Sequence, residues 1–295
     1  MDVEMKIQEP INKVTRKQKL KNYSKHPGSF LLALLTKLAI LLTVLALGFI
    51  LIYILVKGIP NLSTDLFALK YTTENVSMLP AIINTLMITL LSLCIAGPIG
   101  IFSAIYLVEY AKKGNKLVGV VRVTAETLTG IPSIVYGLFG MLFFVTTLKC
   151  GYSLLAGALT LSIMVLPVIM RTTEEALLAV PNSFREGSFG LGAGKLRTIF
   201  KIVLPSAVPG ILAGVILAIG RMVGETAALI YTAGTVAEIP SSIMSSGRTL
   251  AIHMYSLSKE GLYTDQAYAT AVVLLIVVVL INMLSNFVAK KFTKK

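Results

Sequence analysis

"EGSFGLGAGKLRTIFKIVLP", Glu186 to Pro205, is a glycine-rich stretch that runs into a lysine and then into a helix-periodic apolar segment. It invites comparison with the P-loop, G-x-x-x-x-G-K-[ST], whose backbone N–H groups cradle phosphates while the lysine reaches them and a hydroxyl binds magnesium. Counting from Gly194-Lys195, the first glycine position holds Phe189 and the hydroxyl position holds Leu196. Both ends fail, so the stretch does not hold a nucleotide in that way. Its periodicity instead predicts two short helices. Ser183 and Glu186 form a capping-box pattern behind Pro181, so the first helix should begin near Phe184 and stop near Gly192, where a left-handed turn suits glycine. In the second, Leu196, Ile199, Phe200 and Val203 share one face and Arg197 and Lys201 another, until Pro205 ends it. The result is a helix–glycine–helix elbow, a rigid knob that another protein can hold.

The rest of the chain places this elbow beside a membrane. The 295 residues are 55% hydrophobic and 14% charged, with a mean hydropathy of +0.82. That is too apolar for a soluble domain with a polar surface. Six stretches are long and apolar enough to cross the hydrocarbon core as helices: 30–56, 79–108, 128–148, 152–170, 208–233 and 267–289. The second is long enough to be tilted or broken at Gly97-Pro98. A polar tail, 1–29, precedes the membrane domain, 30–290, and a loop, 171–207, carries the elbow. The two tails and the second and fourth loops hold 20 Lys and Arg, against five on the other side (Lys57, Lys70, Lys149, Arg248 and Lys259). The positive-inside rule therefore puts both termini and the elbow in the cytoplasm of a plasma membrane. The same distribution explains the net charge of +13 through orientation, and argues against nucleic acid as a partner.

The first span is an uncleaved anchor by its length and the tail before it, with Lys37 snorkelling to the headgroups. Cys94 and Cys150 have no disulfide or metal spacing, and His26 and His253 are isolated, so no metal site and no catalytic residue is expected.

The pattern E-x-x-x-x-x-G, nine residues, then I-x-L-P is met by Glu186, Gly192, Ile202, Leu204 and Pro205. It resembles the cytoplasmic EAA loop of ABC-importer permeases, although the usual Glu-Ala-Ala reads Glu186-Gly187-Ser188 here. "GIFSAIYLVEYA" (Gly100–Ala111), "TGIPSIVYGLFG" (Thr129–Gly140) and "GRMVGETAALIYTAG" (Gly220–Gly234) are similar to the PstA family of phosphate-importer permeases. The resemblance implies an all-α, six-span, type I ABC-importer permease fold. It also implies that the elbow docks into an ATP-binding subunit, so that ATP and Mg lie in that partner and this chain binds no cofactor and hydrolyses nothing. The implied partners are a PstC-like permease subunit, two ATP-binding subunits, an extracytoplasmic phosphate-binding protein, phosphate and membrane lipid.

Arg221 and Glu225 stand midway along the fifth span at i, i+4, which on a continuous helix is one face. A buried arginine there costs about 2.5–3.5 kcal/mol on insertion scales. Either an internal ion pair offsets that cost, or Arg221 offers its fork of donors to phosphate on a pathway, with Glu225 neutralising it between anions and keeping anion binding weak. Gly220 and Gly224 flank the pair and permit close approach by another helix. Gly130-Ile131-Pro132-Ser133 is a further candidate: a plain loop-to-span junction, or a helix break whose freed N–H groups from Gly130 to Ser133 meet an anion. Glu109, Glu126, Glu174 and Glu175 read as interfacial or loop contacts. The rival functions are a permease for molybdate or sulfate and, from another class, a channel or membrane-embedded enzyme.

Overall fold

The computed structural model describes residues 27–112 and 114–293; the tail up to residue 26, with seven of the orienting basic residues and His26, lies outside them, as do Lys113, Lys294 and Lys295. The chain divides into two compact units, 1–54 and 55–295. The first contributes most of helix α1, Pro27–Gly58. Its 32 residues rise about 48 Å at 1.5 Å each, more than a bilayer core of about 30 Å requires. Thr36 and Thr43 donate their hydroxyls back to the carbonyls of Leu32 and Ala39, both at 2.8 Å, so neither polar group is left to lipid.

In the second unit α5 (Leu154–Leu178) is the buried centre, packed on α2 (Leu79–Ile105) and α8 (Leu204–Val223). Ile88, Leu161, Met164, Val165, Ile169, Ala218 and Met222 form the shared core. Hydroxyls bind α2 to α5: Ser92 Oγ donates to Ala158 O and Ser162 Oγ to Ser92 O, each at 3.2 Å. With no water to compete, such small polar contacts and close backbone approach replace the hydrophobic drive between helices. Helix α2 contains Pro98 without breaking and runs on through a π turn, Tyr106–Tyr110. The break considered at Gly97-Pro98 does not occur, because a single lost i−4 bond is outweighed by packing on both sides of it.

Five further boundaries depart from the sequence reading. Helix α5 continues past Met170 to Leu178, because Met170, Thr173, Glu174 and Leu177 keep a buried helical stripe going, so the first residues of the expected 171–207 loop are helix. The expected third span is divided at 130–132: its first two residues end α3 (Lys116–Thr129), which is capped by Asn115, while α4 (Ser133–Gly140) continues as a π turn to Thr147 and meets α3 at 104°. The first elbow helix, α6, is Asn182–Gly190 and begins directly after Pro181 with no side-chain cap. Ser183 therefore lies inside its first turn and the capping box does not form. Nor does Pro205 end the second elbow helix. A short helix α7 (Lys195–Thr198), a π turn (Ile199–Val203) and α8 make one helix over Lys195–Val223. The widened π turn accommodates the prolyl ring and the missing N–H, while burial of Ile199 and Val203 holds it in place.

That helix stops at Val223, ten residues before the expected end of the fifth span. After it come α9 (Ala227–Ile230), a folded segment 231–249, α10 (Leu250–Glu260) and α11 (Thr264–Thr293). Segment 231–249 is hydrogen-bonded back onto the start of α5, with Leu154 N–H donating to Ser245 O and Leu155 N–H to Ile243 O.

Candidate functional site

The elbow consists of α6, the turn 191–194 and α7. Gly192 takes φ +79°, the left-handed conformation the turn needs. Ser188 and Thr198, both buried, join the two arms through a 2.8 Å hydroxyl contact. The expected apolar face divides in two. Ile199 and Val203 point into the bundle, whereas Leu196 and Phe200 are exposed together with Phe184, Phe189 and Leu191. Ile202 and Leu204 are half-buried, and Glu186 and Pro205 are exposed. The outward surface is thus apolar and rimmed by Glu186, Arg197 and Lys201.

The residue that fixes the elbow to the bundle is Arg185. Its Nε and Nη2 donate to Glu109 Oε1 at 3.1 and 2.7 Å; Nη1 donates to Val180 O at 2.8 Å and Nη2 to Leu177 O at 2.9 Å. Glu109 sits in the π turn that follows α2, and the two carbonyls lie at and just beyond the end of α5, where the helix's own ladder of hydrogen bonds runs out. The sequence reading counted Arg185 only toward orientation. Nearby, Arg122 pairs with Glu174 and Arg171 with Glu175 at 3.1 Å, lining a cavity of about 300 Å³ between α3 and α5 with Glu126. Of the carboxylates read as interfacial or loop contacts, Glu109, Glu126 and Glu174 pair with arginines of another element, and Glu175 pairs within α5.

At the other end of the Lys195–Val223 helix stands Arg221, half-buried in the last turn, where the helix dipole favours a cation. Among the described residues it makes no hydrogen bond or ion pair, and its electrostatic neighbour is Tyr136. Glu225 does not share its helical face, because Gly224 caps α8 and the chain turns. Instead the nearly buried Glu225 carboxylate accepts the Ala228 N–H at 3.1 Å and caps α9. Neither the one-face reading nor an internal Arg221–Glu225 ion pair describes this arrangement. A Cβ on Gly220 would meet nothing within 4 Å in this chain.

Gly130, Pro132 and Ser133 form the corner between α3 and α4. Tyr136, one turn into α4, donates its hydroxyl across the corner to Leu128 O at 2.7 Å. Gly137 lets α4 lie directly on α9: a Cβ there would stand 2.8 Å from Ala228 Cα. The fold therefore gathers the 130–133 corner, Arg221 and Glu225 around Tyr136 and α9, although the sequence presents them as separate candidates. Tyr136 itself carries no sequence signal beyond its place in an apolar run.

A membrane bundle with a corner-broken span and a projecting two-helix elbow defines a class, the type I permease fold of ABC importers. The structure matches that of a bacterial alginate ABC transporter, in complex with an alginate-bound periplasmic protein, with a TM-score of 0.67 at 17% identity, covering 92% of this chain and 98% of that one. The profile of the "Binding-protein-dependent transport system inner membrane component" family matches residues 96–295, and the chain belongs to that family. It is 37% identical over 270 residues to the "Phosphate transport system permease protein PstA" of Pasteurella multocida (strain Pm70), covering 87% of this chain and 92% of the relative. It is also 32% identical over 261 residues to the "Probable ABC transporter permease protein YqgI" of Bacillus subtilis (strain 168), covering 82% and 88%. The chain is a multi-pass membrane transport subunit.

Proposed function

We propose that this chain is one of two permease subunits of an ATP-driven phosphate importer and forms the pathway with a PstC-like partner. Two ATP-binding subunits, which hold the ATP and Mg, grip the elbows from the cytoplasm, where both termini also lie. A binding protein delivers phosphate from the other side. The observation that carries this reading is the single helix from Lys195 to Val223. It joins the exposed Leu196/Phe200 surface at one end to Arg221 at the other. Its 29 residues span about 43 Å. A push on the elbow, when ATP draws the partner subunits together, is delivered as a rigid displacement of Arg221 against the Gly130–Ser133 corner. That is a two-state motion biased from both ends.

Arg221 supplies a planar fork of donors to a tetrahedral anion, and no carboxylate among the described residues competes for it by direct pairing. The Glu225 charge, held by the α9 cap a few residues on, keeps the anion from resting there. The PstA-named relatives favour phosphate over other oxyanions. In vesicles containing the whole complex, Arg221→Ala abolishes labelled phosphate uptake while the ATPase still copurifies; sustained uptake by that variant removes Arg221 from the mechanism. Competition by molybdate or sulfate at equal concentration would reassign the cargo.

A further inference from the structure

At the end of the bundle away from the elbow, the loop before α2, the segment before α10 and α10 itself enclose a second arginine. Arg248 is 6% exposed, and its Nε and Nη2 are fully buried with no hydrogen-bond partner. No carboxylate among the described residues pairs with it. Its guanidinium lies over the Tyr71 ring, 4.6 Å from the centroid, and the His253 ring meets the same tyrosine edge-on at 6.2 Å. The fully buried His253 ring has the Val76 backbone as its polar contact, but neither of its nitrogens completes a hydrogen bond of normal geometry. Burial first and the Arg248 charge second push His253 down to about 3, against the opposing Val76 backbone contact, so it is neutral and carries one N–H and one acceptor.

Guanidinium stays charged in any protein environment, so a buried one without a counter-charge is costly unless something arrives to meet it. Nε and Nη2 are the two atoms of the side-on fork that fits an oxyanion. Arg185 uses that same edge, both atoms donating to one Glu109 oxygen. Arg248 is also held in place for such a role. Asn84 Nδ2 donates to its carbonyl at 3.2 Å and to Glu238 O at 3.0 Å, Thr85 Oγ1 accepts from Leu250 N–H at 2.8 Å, and Arg248 N–H donates to Val236 O at 2.8 Å. The covering loop holds Val76 at φ +46°, a conformation costly for a β-branched residue.

We propose that the Nε/Nη2 edge of Arg248, with neutral His253 beside it under Tyr71, is a second oxyanion site, separate from Arg221 and on the side where cargo arrives. The proposal rests on the chain being an oxyanion permease. The edge is covered in this conformation, so the anion reaches it when the Tyr71–Ser77 loop or segment 231–249 lifts in the alternate state. A small anion with more than two acceptor oxygens suits the combination of a fork and a separate ring N–H better than a protein carboxylate does.

The test uses the intact importer in nanodiscs, nucleotide-free and trapped with ATP and vanadate. Binding of labelled orthophosphate is measured directly, with sulfate and molybdate in parallel. In one of the two states Arg248→Gln loses one bound anion per complex relative to the parent. Arg248→Lys, which keeps the charge but not the fork, binds it at least tenfold more weakly, and His253→Asn falls between. Arg221→Ala retains this site. Copurification of the ATPase checks assembly at the opposite end, and Arg248→Lys decides if Arg248→Gln does not assemble. Equal binding of all three anions by the parent and both Arg248 variants in both states overturns the proposal. If the parent complex takes up no phosphate, the assigned cargo fails, and the sulfate and molybdate measurements still decide whether Arg248 holds an anion.

Discussion

Replacing Arg185 by methionine removes the anchor of the elbow while keeping side-chain length. Five donor contacts disappear: two to Glu109 Oε1 at 3.1 and 2.7 Å, one each to Val180 O and Leu177 O at 2.8 and 2.9 Å, and a longer one to Asn182 Oδ1 at 3.4 Å. The side chains of Arg185 and Glu109 are 16% and 9% exposed, so the carboxylate left behind is nearly buried and unpaired. Breaking one partner of a buried pair costs about 3–5 kcal/mol, and the remaining exposure puts this case near about 3 kcal/mol. Since 1.4 kcal/mol is a factor of ten, local opening of the elbow should become about a hundredfold more frequent. Hydrogen exchange of the 182–190 amides in the intact complex reads this directly, with the core amides of α2 and α5 as internal reference. Glu109→Gln should cost less, about 1–2 kcal/mol, because Arg185 keeps both carbonyls and an amide oxygen. Arg197→Met, at an exposed position, should change nothing. If exchange over 182–190 in Arg185→Met stays within threefold of that in Arg197→Met, the anchoring role is refuted. The functional consequence is uncoupling, in which ATP hydrolysis continues while uptake falls.

Other expectations follow from the same geometry. Leu196→Asp or Phe200→Asp should cost the complex its ATPase on purification with little change in melting, whereas Ile199→Ala, 1% exposed, should lower stability by about 2–5 kcal/mol. Tyr136→Phe removes the side-chain donor to Leu128 O, which keeps the Ile131 N–H at 3.2 Å, a loss of about 1 kcal/mol, and should broaden the distance distribution between spin labels on α3 and α4; an unchanged distribution means that the corner is held otherwise. His253, depressed from 6.5 to about 3, takes up protons in the unfolded chain that the folded chain refuses. Stability is therefore fully present above pH 6.5 and is lost as pH falls, by about 2 kcal/mol at pH 5. Melting of the complex at pH 7 and pH 5 should show this loss, and His253→Asn should abolish it.

The membrane class and the position of the elbow follow from local facts. Where no water can satisfy N–H and C=O, an apolar run of about twenty residues must be a helix. A glycine between two periodic stretches marks the turn wherever the stretches end up. Such rules act within a few residues, and that is where they stop. Pro205 is a helix stop by local chemistry, yet burial of Ile199 and Val203 carries the helix through it. Residues 208–233 are apolar apart from Arg221, Glu225 and two threonines, and glycines recur along that run without marking Gly224 as its end; the end comes from α9 lying on Gly137, a contact between distant parts of the chain. Glu186, the motif residue, faces outward, while Arg185 beside it finds Glu109, 76 residues away. Arg248 likewise meets Tyr71 and His253 only when three segments converge. Hydrophobic periodicity reports which face a residue occupies, but a charge acquires its role from the partner that folding brings or withholds.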